Sequence, residues 1–151
     1  MSLLQRFDED LRSAMKASQG LKVSVLRMAK AAAKNKEIEK GKSLTDEEIV
    51  LILSSMVKQR RESVEQYTKA GRRDLAAKET EEISILQSYM PRQLGREELD
   101  GMILDAIRES SAKDMRDIGK VMRILMPKIK GVADGTYVNE RVKELMDRDR
   151  E

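Results

Sequence analysis

The chain has no cysteine and no histidine in 151 residues. That removes disulfides, the usual structural zinc sites, thiol nucleophiles, and every catalytic arrangement that needs an imidazole. Aromatic residues are nearly missing as well: Phe7, Tyr67, Tyr89 and Tyr137 are all of them. A hydrophobic core must therefore be built from Leu, Ile, Val, Met and Ala. With only two prolines and abundant Ala, Glu, Lys, Arg and Leu, the composition is that of an all-helical protein. No run reaches the roughly 20 apolar residues that span a bilayer, so no membrane is expected. The N-terminus, Met1-Ser2-Leu3-Leu4-Gln5-Arg6-Phe7-Asp8, carries an acid early and lacks the apolar stretch of a secretory signal. A cytoplasmic location is the resulting expectation. There is no phosphate-binding glycine loop, no dinucleotide fingerprint and no metal-ligand spacing, so the expectation is no cofactor and no metal.

What is present is helical periodicity, punctuated by caps and glycines. Ser2 with Gln5 forms a capping box, and Leu3, Leu4, Phe7, Leu11, Ala14 and Met15 follow at helical spacing to a stop at Gly20. The second helix is predicted over about Leu21 to Lys40, with Leu21, Val25, Met28, Ala29 and Ala32 inward. Thr45 with Glu48 is a second capping box. It opens a third helix whose arc is Ile49, Ile52, Leu53, Met56, Val64 and Tyr67 and whose stop is Gly71. A fourth helix, carrying Leu75, Ile83, Leu86 and Met90, ends at Pro91. The pattern breaks there, which predicts an N-terminal helical domain over 1–91, a linker over 92–94 and a C-terminal helical tail domain over 95–151. In the tail, Leu99 to Ile107 is a fifth helix. Asp114 with Asp117 caps a sixth, which Pro127 kinks or ends, and Val138 to Met146 is the last. The fold class is all-α, a four-helix N-terminal part followed by a small three-helix tail.

Charges depart from this pattern at two kinds of place. Arg60 falls inside the apolar arc of the third helix, and Glu79 and Glu82 fall inside that of the fourth. In an antiparallel hairpin about Gly71, Arg60 and Glu82 are equally far from the turn, which predicts an inward ion pair with Glu79 beside it. Two other readings stay open: the side chains snorkel out at the edge of a broad stripe, or the carboxylates form a catalytic pair. An arginine at the centre is expected to lower carboxylate pKa values, which suits structural pairing better than acid catalysis. The second kind of place is basic. Between Arg12 and Lys42 nine cations meet only Glu37 and Glu39. Within this excess Arg27, Lys30 and Lys34 share one face of the second helix; Arg116, Lys120 and Arg123 share one face of the sixth. Such stripes are either solvated helix faces or phosphate contacts. No aromatic ladder accompanies them for single-strand stacking, so the RNA they would suit is folded and read by shape.

Several runs in chain order carry a resemblance: Leu26-Arg27, Lys58-Gln59-Arg60-Arg61-Glu62-Ser63, Tyr67, Ala70-Gly71-Arg72, Asp74-Leu75-Ala76, Glu79, Tyr89-Met90-Pro91, Gly119-Lys120-Val121-Met122 and Gly131-Val132-Ala133-Asp134-Gly135. Together they resemble the GatB/YqeY family over nearly the whole chain, in its free-standing YqeY-like form. The resemblance implies an all-helical fold with a small tail, a module also found at the C-terminus of the B subunit of glutamine-dependent tRNA amidotransferase. There the tail engages tRNA while catalysis lies on other domains. It therefore implies a non-catalytic module that binds tRNA or assists an amidotransferase-related complex, affiliated with carbon–nitrogen ligases that use glutamine as amido-N-donor. Lys120 is the tail contact the resemblance carries over. Val132 stands where the family's turn usually has a basic residue, and Gly95 where a serine commonly caps the first tail helix. A protein-interaction adaptor without RNA binding is the alternative that the helical surface allows.

Overall fold

The computed structural model describes residues 1–148. Seven α-helices and one short 3-10 turn make up its regular structure, with no strand among the described residues: α1 (Leu3–Lys16), α2 (Gly20–Lys40), α3 (Asp46–Lys69), α4 (Arg73–Gln87), α5 (Arg96–Ser110), the 3-10 turn Met115–Asp117, α6 (Ile118–Ile129) and α7 (Gly135–Arg148). The chain divides into two compact units, Met1–Pro91 and Arg92–Glu151. Residues 149–151, the end of the expected tail domain, lie outside the described residues. The stretch 92–94 is bonded into the second unit. Arg92 pairs with Glu98 at 3.0 Å, the Gln93 amide donates to the Gly131 carbonyl at 3.0 Å, and the Leu94 N–H donates to the Val132 carbonyl at 2.9 Å.

Both capping boxes form. The Ser2 hydroxyl accepts from the Gln5 amide while the Gln5 side chain accepts from the Ser2 amide, and Thr45 and Glu48 do the same at the head of α3. Two local expectations need correcting. Gly20 does not stop α1: the left-handed residue is Ser18, at φ 55°, and Gly20 is the first residue of α2. The reversal is closed by bonds from the Ser18 and Gln19 amides back to the carbonyls of Met15 and Ala14, which satisfies the end of α1 without a glycine. On α2 the buried residues are Val25, Leu26, Ala29 and Ala33, whereas Met28 is 39% exposed. The inward face is thus turned about one residue from its predicted position. The small side chains of Ala29 and Ala33, fully covered, let neighbouring helices approach closely.

In the first unit the two most buried aromatics close the helical layer. Phe7 of α1 meets the Tyr89 ring edge to face at 4.9 Å and 81°, and the Arg6 guanidinium sits 4.9 Å above the same ring. The Tyr89 hydroxyl donates to the Asp10 carboxylate. Burial, then this bond to a carboxylate, pushes the Tyr89 phenol well above its ordinary value. The end of the α4 segment is thereby fastened to α1. The second unit has a separate aliphatic core in which Ile103 of α5, Val121 and Leu125 of α6 and Val138 and Val142 of α7 are completely covered.

Gly71, at φ 74°, turns α3 back along α4 in a long antiparallel hairpin. From Lys58 to Glu81 only Ala76 is buried, so the outer part of the hairpin is a two-helix arm beyond the core. Arg60 stands where the arm meets the core. Its Nη1 donates to the Met56 carbonyl at 3.2 Å, its Nη2 contacts the Met28 sulfur of α2 at 3.6 Å, and its Nε lies 3.5 Å from Oε2 of Glu82 on α4. The two side chains are only 11% and 7% exposed. The Arg60–Glu82 contact is electrostatic rather than a hydrogen bond, since Nε is buried without a hydrogen-bond partner among the described residues. The expected lowering of the carboxylate pKa is reversed. Burial first, and the neighbouring Glu79 second, push Glu82 above its ordinary value and outweigh the opposing pull of Arg60.

Two measurements test this junction. Arg60→Ala should cost on the order of 3 kcal/mol at neutral pH, because it leaves Glu82 buried and unpaired. The cost should shrink as pH falls through the raised folded value of Glu82 and its carboxyl takes up a proton. Urea unfolding reads both, and a neutral-pH midpoint equal to wild type would refute the buried pairing. A raised folded pKa favours the protonated carboxyl, so Glu82's contribution is complete below its ordinary value of 4.5 and is lost as pH rises through the raised value. Glu79→Gln removes the like charge and should make that loss smaller. The difference between variant and wild-type stability, followed from pH 4 to 8, should grow in the variant's favour. This difference profile cancels Glu48, Asp74, Glu98, Asp100 and Asp117, whose lowered pKa values act in the opposite direction. A flat profile would show that Glu79 and Glu82 do not communicate.

Candidate nucleic-acid interface

Among the described residues no group of three or more acidic side chains could hold a metal ion. The only charged side chain buried among them is Glu82. The basic residues of the surface fall into three environments. Arg27 and Lys34, seven positions apart on α2, are exposed and make no ion pair among the described residues. Lys30 is half-buried and sits 2.5 Å from the Asp8 carboxylate of α1. The rotation of α2 explains the difference, since Lys30 follows Leu26 by one turn and lies at the edge of the packed face. Around them the Arg12–Lys42 cation excess is partly cancelled by acids from outside the segment. Asp8 takes Lys30, and Glu48 of α3 takes Lys40. The Lys40 ammonium is the first cause holding the Glu48 carboxyl below its ordinary range.

In the second unit the basic stripe is interrupted. Arg116 is not on α6 but in the 3-10 turn before it, where Asp114 accepts from the Arg116 amide at 2.9 Å and pairs with its guanidinium at 3.1 Å. Asp114 therefore caps the turn, and α6 begins only at Ile118, after Asp117. The expected single cap for the sixth helix is replaced by this two-step start, because Asp117 is engaged elsewhere. It accepts from the Lys113 amide at 3.0 Å and pairs with Lys120 at 3.4 Å. The Lys113 amide, with Lys120 after it, holds Asp117 below its ordinary value against burial. Arg123, exposed on α6, has no ion pair among the described residues. Lys120 and Arg116 remain largely solvent-accessible, at 63% and 91%, so their pairs are weak restraints on where the charges point.

The same unit holds an ionic cluster that the sequence reading missed. Arg141 of α7 grips Asp100 of α5 with both Nε and Nη2, at 2.7 and 2.8 Å, and also pairs with Glu144 at 2.7 Å. Arg96 donates to the Tyr137 hydroxyl at 3.2 Å. Only the i,i+3 spacing of Arg141 and Glu144 was visible in the sequence; Asp100 lies 41 positions away. The turn Gly131-Val132-Ala133-Asp134-Gly135 also gains a structural role. Gly131 takes φ 79°, and Asp134 accepts from the Thr136 amide at 3.1 Å to cap α7.

The family model for YqeY-like proteins matches residues 4–146. The chain belongs to the YqeY-like family. Among similar proteins, "Altered inheritance of mitochondria protein 41, mitochondrial" of Pyrenophora tritici-repentis is 28% identical over 147 residues, covering 95% of this chain and 81% of that protein. The protein of the same name in Saccharomyces cerevisiae is 33% identical over 119 residues, covering 75% of this chain and 64% of its own length. That of Vanderwaltozyma polyspora is 37% identical over 83 residues, covering 54% of this chain and 45% of its own. This chain thus spans somewhat under two thirds of the Saccharomyces relative. The mitochondrial names overturn the expectation of a cytoplasmic location. That expectation rested on the absence of a secretory signal and of a membrane-spanning run, and neither absence distinguishes one aqueous compartment from another. No helix among the described residues is long and apolar enough to cross a membrane.

The capping role of Asp134 in this YqeY-like chain can be measured directly. Asp134→Ala should cost about 1 kcal/mol and speed hydrogen exchange at the Thr136 amide. Exchange unchanged from wild type would leave the aspartate without that role.

Proposed function

We propose that this YqeY-like protein is a non-catalytic helical module that binds folded RNA through phosphate contacts. The family resemblance makes tRNA the RNA to test first and an amidotransferase-related complex the setting. One observation carries the reading: Arg27 and Lys34 stand on the solvent face of α2 without an acidic partner among the described residues, inside the segment with the largest excess of cations. Their separation of seven residues is two helical turns, roughly 10 Å along the axis, which suits separate phosphates of one backbone. In the second unit Arg123 supplies a cation with no ion pair among the described residues, and the largely exposed Lys120 and Arg116 can turn from their half-buried aspartates to phosphate. Lys30 contributes least, because its ammonium is committed to Asp8. Contacts of this kind give affinity without base reading.

Binding of bulk tRNA should therefore fall steeply with salt. In the variant with Arg27→Ala and Lys34→Ala together, the slope of log affinity against log salt should drop by about 2, one unit for each lost phosphate contact. The substitutions are on an exposed face and should leave thermal unfolding within about 0.5 kcal/mol of wild type. An electrophoretic shift or anisotropy titration between low and moderate salt measures both slopes. No binding even at low salt would favour the adaptor alternative, and an unchanged slope would move the RNA contact away from α2.

A further inference from the structure

A groove of about 450 Å³ runs along the first unit between α2 and α3. One wall is a single stripe of α2, Ala32, Lys36 and Lys40, spaced four residues apart; Leu51, Ile52 and Met56 of α3 supply most of the other wall and floor. The stretch of α3 that lines it, Glu48 to Gln59, is about 16 Å long at the rise of an α-helix, enough for three turns of a partner. Leu51 is 38% exposed on its rim, beside the partly buried Ile52 and the buried Met56. From these features we infer that the groove seats an acidic amphipathic helix of a protein partner.

Two antiparallel helices leave a trough into which the apolar face of a third can lie, with anchors at i, i+3 or i+4 and i+7. Ala32 is the smallest side chain on the α2 wall and permits close approach at that point. The lysines on the α2 wall set the sign of the partner. Lys36 is tied only to Glu39, 3.5 Å away, with both side chains well exposed, so a partner carboxylate can take it at little cost. Glu37, the other acid on this part of α2, is turned to the following loop, where it accepts from the Leu44 amide. Lys40 and Glu48 bridge α2 to α3 at the loop end and close the groove there. The same features disfavour RNA in this place. The groove has no aromatic side chain for stacking, and its α3 wall offers Glu48, Ser55 and Gln59 rather than cations. The site is separate from the exposed Arg27 and Lys34.

The test uses a fluorescein-labelled synthetic helix of about 15 residues, with leucines at the anchor spacing and glutamates flanking them, and a twin with lysine in place of each glutamate. Anisotropy titrations with the full chain should show the glutamate peptide binding and the lysine twin at least about tenfold weaker. Leu51→Glu and Ser55→Glu both alter exposed positions. Each should weaken the glutamate peptide by about tenfold or more with the circular-dichroism melt unchanged, and Lys36→Glu should reverse the preference between the twins. Failure of the glutamate peptide to bind, equal binding of the twins, or binding indifferent to both Leu51→Glu and Ser55→Glu would overturn the inference. Loss of tRNA binding in Leu51→Glu, with tRNA displacing the peptide from wild type, would overturn it in favour of RNA.

Discussion

Arg60 carries a charge into a place where three helices meet, and the organisation of the first unit follows from how that charge is accommodated. Its guanidinium touches a sulfur of α2, a carbonyl of α3 and a carboxylate of α4. None of these contacts is strong alone, and Nε has no hydrogen bond among the described residues. Replacing the cluster with aliphatic side chains would bury no charge at all, so its benefit is geometric more than energetic. Arg60 and Glu82 each lie 11 residues from Gly71, and their meeting holds the hairpin in one register. Beyond this point the arm has almost no core, so register there depends on the junction.

Glu82 bears much of the cost of that arrangement. Burial and Glu79 favour its neutral form, Arg60 favours the charged one, and the first two prevail. A carboxyl in this position is held by opposing effects of similar kind, and its raised pKa gives the junction a pH dependence opposite in sign to that of the lowered carboxyls in the surface ion pairs. The aromatic pair of Phe7 and Tyr89 fastens α1 by different means, with a ring contact, a cation over the ring and a hydroxyl bonded to Asp10. Scarce aromatics are thus concentrated where α1 has to be fastened to the end of the α4 segment.

Much of the helical plan was legible because its signals are local. The capping boxes at Ser2 and Thr45 and the glycine turn at Gly71 involve residues a few positions apart, and the structure forms them as the pattern implies. Where a signal had to be resolved by contacts, the sequence misled. Gly20 looked like the stop after α1, yet Ser18 takes the left-handed conformation because the chain must reverse two residues sooner to bring α2 onto α1. Met28 looked inward, but the phase of α2 is set by Val25, Leu26, Ala29 and Ala33 together. An alanine-rich helix has a broad, weak apolar face, so its periodicity does not define which residue is central.

The candidate interface divides along the same line. Legible from the residues alone were the all-helical class, the absence of cysteine and histidine chemistry, the run of cations from Arg12 to Lys42 and the motifs that mark a YqeY-like protein. Those follow from composition and short spacing. Which cations are free depends on packing in three dimensions. Lys30 and Lys40 are neutralised by Asp8 and Glu48 from other helices, Arg116 and Lys120 by aspartates whose orientation the 3-10 turn sets, and Arg27, Lys34 and Arg123 are left open. Ion pairing acts over a few ångströms in space, and a one-residue rotation of α2 is enough to change which side chains fall within that reach.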